Sequence, residues 1–202
     1  MTKIKICGLK REEDIEIVNK YKPDYIGFIF ALNRKRTIDV EKAKKLYSKL
    51  DHNILAVGVF LDQDIKYIKQ CIPYIDLIQL HGDEDEEYIK ELKKITNKKI
   101  INAYREDINA DYILLDNINP GSGISVEWED IKCYNKPVFL AGGINISNIN
   151  KALELKPYCI DVSSGVETNG FKDESKIKEI IKRVRSWMVD MEASVDNMFL
   201  KH

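Results

Sequence analysis

The sequence predicts a (β/α)8 barrel, in which eight parallel strands close into a ring and helices surround them. Short runs rich in β-branched residues alternate eight times with amphipathic stretches along the 202 residues. Glycine-bearing turns follow the seventh and eighth runs, at 142–143 and 163–165. An open doubly wound sheet is the alternative, but its glycine-rich turn would follow the first strand. The positions of the glycines therefore favour the closed barrel.

The alternating runs give the predicted elements. The strands cover Lys3–Cys7, Asp24–Phe30, Ile54–Phe60, Asp76–Leu80, Lys99–Tyr104, Asp111–Leu115, Pro137–Ala141 and Cys159–Val162. Helices are predicted near Arg11–Lys20, after an Asp39 N-cap, around Ile65–Ile72, from an opening at Asp83 and Glu86, over Asn148–Leu155 and from Asp173. Leu50 and Ile95 belong to the predicted apolar faces of the second and fourth helices. Because only Arg105–Ala110 separates the fifth and sixth strands, the fifth helix is predicted to be vestigial. Trp128–Cys133 forms a short segment before the seventh strand.

One domain accounts for almost the whole chain. The predicted barrel covers residues 1–191 and leaves 192–202 as a C-terminal extension. We expect this extension to prolong the final helix, and a contact with a second subunit is the alternative.

Composition excludes several classes of partner. The 32 basic and 33 acidic residues give a net charge of −1, so no global field attracts nucleic acid or an acidic membrane. No apolar run reaches the ~18 residues of a membrane span, and the N-terminus lacks a signal-peptide core. The four cysteines are widely separated, which predicts reduced thiols, a cytoplasmic location and no zinc site; they are Cys7, Cys71, Cys133 and Cys159.

Two of the predicted strands lead into turns that contain only small residues. The strand ending at Val162 runs into Ser163, Ser164 and Gly165, and the preceding strand runs into Gly142 and Gly143. Exposed backbone N–H groups in such turns can bind an anion. Two ordinary loops that need glycine for positive φ are the alternative. Because the turns are consecutive, they favour one phosphate held between them, where barrel phosphate sites lie.

Cys7 and Asp116 end the first and sixth predicted strands, where barrel enzymes place their chemistry. A thiolate at Cys7 can abstract a proton, whereas a lone cysteine is more often a small apolar filler. Asp116 can be a general acid if burial raises its pKa, or a simple turn aspartate. The two side chains would face each other across the mouth of the barrel, which suits proton transfer between adjacent substrate atoms.

Lys5 lies two residues before Cys7 and therefore on the same side of the strand. Closure of a barrel places strand eight, which carries Asp161, beside strand one. We expect Lys5 and Asp161 to pair inside the barrel, and Lys5 to favour a thiolate at Cys7. A solvent-facing lysine is the alternative.

Polar residues end two further strands. Arg34 and Arg36 follow strand two, and one of them could bind a carboxylate through its guanidinium, although charged loops are usually only solvated. Gln79 and His81 lie at the end of strand four. Without a second histidine or a carboxylate cluster, His81 is interpreted as a polar lining residue and not as a metal ligand.

Taken together, the motifs resemble one family along the chain to about Arg185: the phosphoribosylanthranilate isomerases of tryptophan biosynthesis. The matching segments are Lys5–Leu9, Gly27–Phe30 with Arg36, Val57–Phe60, Gln79–Gly82, Leu114–Asp116, Leu140–Gly143, Asp161–Glu167 and Gly170–Asp173. Arg34 stands where the family usually has serine, and Pro120 replaces the first glycine of the turn after strand six, which predicts a stiffer loop.

The resemblance implies an Amadori rearrangement of N-(5-phosphoribosyl)anthranilate to 1-(2-carboxyphenylamino)-1-deoxyribulose 5-phosphate, without a cofactor. It implies that Asp116 is the general acid at the ring oxygen, Cys7 the general base at C2, and Arg36 the ligand of the anthranilate carboxylate. The two glycine-bearing turns would hold the phosphate, with Glu167 in a loop- or helix-supporting role.

Two other functions are weighed against this one. A metal-dependent epimerase of phosphosugars would need histidine and aspartate ligands on several strand ends, where only His81 qualifies. A non-catalytic phosphate-binding barrel would need neither Cys7 nor Asp116. The expected partner is a small phosphorylated aromatic amino-sugar, with no nucleic acid and no membrane, and the chain is expected to be a monomer or a homodimer.

Overall fold

Eight parallel strands close into a barrel, as predicted. The computed structural model describes residues 1–103, 108–116, 131 and 134–199, with side chains described as far as Trp187. The strands are β1 (Lys3–Cys7), β2 (Tyr25–Ile29), β3 (Leu55–Phe60), β4 (Leu77–Leu80), β5 (Lys99–Ala103), β6 (Tyr112–Leu115), β7 (Val138–Leu140) and β8 (Cys159–Val162). Each strand pairs with the next in sequence, and β8 pairs with β1. This closure rules out the open doubly wound sheet.

Helices cover the outside of the barrel. They are α1 (Glu12–Tyr21), α2 (Val40–Tyr47), α3 (Ile65–Cys71), α4 (Glu86–Ile95), α5 (Ile149–Glu154) and α6 (Glu174–Phe199). In the connection from β5 to β6, residues 108–110 are not helical, in agreement with a vestigial fifth helix, while 104–107 lie outside the described residues. Of the predicted segment Trp128–Cys133, only Ile131 is described, and the Pro120 turn also lies outside the described residues.

The start of α4 differs from the prediction. Asp85, and not Asp83, is the N-cap, and its carboxylate accepts a hydrogen bond from the Tyr88 backbone N–H at 2.8 Å. The N–H of Asp83 instead donates to the Asp62 carboxylate on the preceding loop. The spacing from Asp83 to Glu86 therefore belongs to a loop contact, and the helix begins at Glu86.

Two predicted face residues also lie elsewhere. Because α2 ends at Tyr47, Leu50 packs on the core from the loop that follows the helix. Ile95 is the last residue of α4 and is 37% exposed, so it is not part of the buried face of the helix.

The core has two layers that follow the alternation of strand side chains. The residues inside the barrel include Val57, Ile101, Leu114 and Phe139. In β1, Ile4 and Ile6 pack outward against the helices, whereas Lys5 and Cys7 face inward. The inner layer therefore carries polar groups toward the end of the barrel at which the strands finish.

Helix α6 packs on the barrel through Ile177, Ile180, Ile181 and Val184, which are all buried. The Asp173 carboxylate accepts from the Lys176 N–H at 3.1 Å and so caps the start of the helix, which the sequence predicted to run from Asp173. The division into a barrel of residues 1–191 and an extension of 192–202 stays a prediction. No helix in the described part of the chain combines the length and apolar character required to cross a membrane.

Candidate active site

Lys5 forms the predicted contact with Asp161 inside the barrel. Register places Lys5 opposite Asp161 in the β1–β8 ladder, and the Lys5 Nζ donates to Asp161 Oδ2 at 2.6 Å. A second hydrogen bond, to Gln79 Oε1 at 2.7 Å, reaches across to β4. The exposed fractions are 0% for Lys5, 2% for Gln79 and 7% for Asp161. Since a buried charge requires a partner, the three side chains stabilise one another.

The Cys7 thiol lies just above this group, at the end of β1. Burial raises the pKa of Cys7, and the nearby Lys5 ammonium only partly opposes that effect. For Lys5 itself, burial acts to lower the pKa, but Asp161 together with the nearby cysteines outweighs burial, and the pKa is raised. The expectation that Lys5 favours a thiolate at Cys7 is therefore confirmed, although burial has the larger effect on the pKa. Cys7 is mainly a thiol at neutral pH because desolvation of the thiolate dominates.

Gly27 makes room for the thiol. It lies beside Cys7 in the β1–β2 ladder, and a Cβ at this position would come within 2.6 Å of the Cys7 Sγ. The sequence motif containing Gly27 gave no reason for a glycine, because the contact involves another strand.

His81 and Asp116 meet on the opposite side of the mouth. The His81 Nε2 lies 3.6 Å from Asp116 Oδ2, and the Gln79 Nε2 lies 3.4 Å from His81 Nδ1. An ammonium group can only donate, so the Gln79 side-chain oxygen must face Lys5. The Gln79 amide nitrogen then faces His81. The His81 Nδ1 then accepts, so that its proton resides on Nε2, facing Asp116. Burial lowers the pKa of His81 although Asp116 raises it, which keeps the ring neutral.

Arg36 reaches toward the mouth from the loop after β2, while Arg34 is exposed. A Cβ on Gly8, the residue after Cys7, would collide with the Arg36 Cδ. The guanidinium forms a fork with Glu167: Nε donates to Oε1 at 2.5 Å and Nη2 to Oε2 at 2.7 Å. The predicted supporting role of Glu167 is therefore incomplete, because its carboxylate binds Arg36 directly.

The two glycine-bearing turns touch each other. Gly142 and Gly143 have φ values of 94° and 68°, which favour glycine. A Cβ on Gly165 would overlap the Ile144 carbonyl oxygen. Close packing of the turns thus explains the glycine at 165, which the sequence interpretation had assigned to anion access or to a positive φ.

Several backbone donors in these turns are unused. Within the described part of the chain, the N–H groups of Gly142, Gly143, Ser164 and Gly165 donate to no protein acceptor. The Ser163 hydroxyl donates to the Cys7 carbonyl at 3.2 Å and so ties the turn to β1. A cluster of free N–H groups between two loops can bind a phosphate group.

Metal ligation finds no support among the residues described: no group of three or more His, Cys, Asp or Glu side chains is arranged to hold a metal ion. The polar groups at the mouth are instead suited to bind anions and to transfer protons.

Comparison with known proteins identifies the family. A sequence model of the N-(5'-phosphoribosyl)anthranilate isomerases matches residues 4–183. The chain belongs to this family. An N-(5'-phosphoribosyl)anthranilate isomerase of Clostridium acetobutylicum is 47% identical over 205 residues, covering 93% of this chain and 100% of the relative. That of Clostridium kluyveri is 46% identical over 198 residues, covering 92% and 99%. The resemblance drawn from the sequence motifs is confirmed.

Solved structures of phosphoribosylanthranilate isomerases share the fold. The isomerase of Thermus thermophilus superposes with a TM-score of 0.81 at 29% identity, covering 92% of this chain and 100% of that one. A second isomerase, in complex with reduced 1-(o-carboxyphenylamino)-1-deoxyribulose 5-phosphate, superposes with a TM-score of 0.79 at 30% identity, with the same coverage of both chains. A third structure shows monomers generated from the dimeric isomerase of Thermotoga maritima; it superposes with a TM-score of 0.77 at 30% identity, covering 92% of this chain and 99% of that one.

Proposed function

We propose that the chain converts N-(5-phosphoribosyl)anthranilate to 1-(2-carboxyphenylamino)-1-deoxyribulose 5-phosphate in tryptophan biosynthesis, without a cofactor. Family membership over residues 4–183 supports the reaction. The main support for assigning the reaction to particular residues is that Cys7, Asp116 and the two donor-rich turns lie at the same end of the barrel.

In the proposed first step Asp116 donates a proton to the ring oxygen of the ribose. The bond from C1 to the ring oxygen breaks, and the nitrogen lone pair forms a Schiff base with C1. Asp116 is left as a carboxylate, toward which the neutral His81 directs its Nε2–H from 3.6 Å. The N–H dipole directed at the carboxylate favours its charged form electrostatically, so His81 assists release of the proton.

In the second step Cys7 removes the proton at C2, and the electrons of the C–H bond flow into the Schiff base to give an enolamine. Tautomerisation then moves the C2 hydroxyl proton away and adds a proton at C1, which yields the ketone. The base must act as a thiolate, and Lys5 increases the thiolate fraction against the effect of burial.

Substrate anions are assigned to two places. The N–H groups of Gly142, Gly143, Ser164 and Gly165 are the proposed ligands of the phosphate. Arg36 is the proposed ligand of the anthranilate carboxylate. Its side chain passes over Gly8, next to the proposed base, which favours Arg36 over the exposed Arg34.

Location and assembly form part of the proposal. The free thiols of Cys7, Cys71 and Cys159 support a cytoplasmic location. The proposed partner is the small phosphorylated substrate and neither nucleic acid nor a membrane. The chain acts as a monomer or as a homodimer; the isomerase of Thermotoga maritima is dimeric, and monomers generated from it have been solved. Light scattering on the purified protein distinguishes the two states.

The turnover assay follows the loss of phosphoribosylanthranilate fluorescence on addition of the purified protein. We expect turnover without added metal or cofactor. Absence of turnover at micromolar enzyme would contradict the proposed function and favour a non-catalytic phosphate-binding barrel. Turnover that requires an added divalent metal would instead favour a phosphosugar epimerase-like mechanism.

A further inference from the structure

Glu167 and Arg36 form an ion pair at the mouth that is joined by two hydrogen bonds. They lie 131 residues apart in sequence, and both carboxylate oxygens face the Nε–Nη2 edge of the guanidinium at 2.5 and 2.7 Å. The Glu167 side chain is 9% exposed and that of Arg36 is 24% exposed. Two parallel hydrogen bonds between planar groups fix the orientation of both.

A guanidinium has a second edge that this pair does not use. Of its five N–H bonds, Glu167 accepts one from Nε and one from Nη2. Within the described part of the chain, the Arg36 Nη1 has no protein acceptor. The Nη1–Nη2 edge can therefore receive a second carboxylate in the same plane while Glu167 remains bound.

Glu167 is itself held from the other side. The buried Lys172 Nζ donates to Glu167 Oε1 at 2.8 Å and to the Ser163 carbonyl at 2.9 Å. Burial would raise the pKa of Glu167, but Arg36 and Lys172 lower it to about 2. Lys172 thus connects the carboxylate that orients Arg36 with the turn proposed to bind phosphate, so the two anion sites are held at a fixed separation.

We propose that Glu167 is a positioning residue that presents the Nη1–Nη2 edge of Arg36 to the carboxylate of the substrate, and so selects carboxylated arylamines. The proposal rests on the proposed function of the site. Without Glu167, the Arg36 side chain would have to be ordered by each substrate molecule, at a cost that weakens binding roughly tenfold. A purely structural role for Glu167 would weaken all ligands alike.

The test measures binding by calorimetry, because binding does not depend on turnover. The probes are reduced 1-(o-carboxyphenylamino)-1-deoxyribulose 5-phosphate and the same compound without the carboxylate. In Glu167→Gln we expect the Kd of the first to rise about tenfold, with that of the second unchanged. An equal rise for both probes, or no rise for either, would overturn the proposal.

The matched control is Glu12→Gln. The Glu12 carboxylate also bridges two cations, Lys45 and Lys49, but on the outside of the barrel, and its pKa is likewise lowered to about 2. We expect this variant to bind both probes as the parent chain does. If Glu167→Gln fails to fold because Lys172 loses its partner, the double variant Glu167→Gln/Lys172→Met removes that buried charge. For the double variant we again expect a higher Kd for the carboxylated probe only.

Arg36→Ala separates this proposal from the one on which it rests. If Arg36→Ala removes the preference for the carboxylated probe but Glu167→Gln does not, only the positioning role of Glu167 fails. If Arg36→Ala leaves the preference intact, the proposed carboxylate site itself is wrong.

Discussion

At the scale of single residues, the charge state of Cys7 depends on groups that lie beneath it. Burial raises the pKa of Cys7, Lys5 lowers it and Asp161 raises it, with the effect of Lys5 exceeding that of Asp161. The pair therefore has no net charge but still lowers the pKa of Cys7, because the effect of the ammonium is larger than that of the carboxylate. The buried pair both stabilises the barrel and adjusts the proposed base.

The pH dependence of kcat/KM tests this adjustment. We expect activity to rise with pH as Cys7 ionises, because kcat/KM reports groups of the free enzyme. Asp161→Asn should move this rise to lower pH, because it removes a charge that opposes the thiolate. The double variant Lys5→Met/Asp161→Asn should move it to higher pH. Circular dichroism must first show that each variant is folded, since breaking a buried pair costs about 3–5 kcal/mol. Shifts in the same direction for both would contradict the assignment.

At the scale of elements, the turns after β7 and β8 work as one unit. A Cβ at Gly165 would collide with the Ile144 carbonyl, whereas one at Gly170 would meet nothing within 4 Å. The position of the proposed phosphate donors is therefore set by contact between the two turns, and not by either turn alone.

Gly165→Ala should raise KM about tenfold or more, because the turns must separate and the phosphate donors no longer converge. Gly170→Ala is the control: its φ of 78° carries a strain of about 1–2 kcal/mol, but it alters no contact between the turns. Steady-state kinetics give the KM of both variants for comparison. An unchanged KM in Gly165→Ala would show that the turns adjust without loss of binding.

Features that depend on local spacing and on barrel closure were predictable from the sequence. The Lys5–Asp161 pair follows from strand alternation together with the adjacency of β1 and β8. Gln79 was placed at the mouth, but its bond to Lys5 was not foreseen, because that bond spans the barrel.

The remaining features depend on atoms brought together from distant parts of the chain. The Arg36–Glu167 fork joins residues 131 positions apart, and no periodicity indicates it. The net pKa shift of Cys7 depends on burial, which the residue types alone do not give. Asp83 and Asp85 are chemically alike, so only the contact with Asp62 reveals which of them caps α4.

At the scale of the whole molecule, closure of the barrel places the last strand, β8, beside the first, β1. Among the residues whose side chains are described, the last fully buried residue of α6 is Val184, the partly buried Trp187 still packs on the core, and the family match ends at residue 183. All three positions precede the proposed boundary at 191, so we expect the barrel to be complete without the extension.

A chain that ends at Met191 should therefore fold and keep its kcat/KM within about twofold, since surface changes away from a site have small effects. A chain that ends at Lys176 is the control, because it lacks the four buried residues of α6 and should not fold. Light scattering on the full and shortened chains shows whether 192–202 contributes to a dimer. Loss of turnover in the longer truncation would mean that the extension belongs to the functional unit.

The central claim is that an acid and a base at the ends of β6 and β1 perform the isomerisation. Its most direct test is kcat/KM for Cys7→Ala and Asp116→Asn in the fluorescence assay, with binding of the reduced product analogue measured in parallel. We predict that each variant loses about a hundredfold or more in kcat/KM while it still binds the analogue. A Cys7→Ala variant with full activity would contradict the account of the base, even if the barrel and its anion sites are as described.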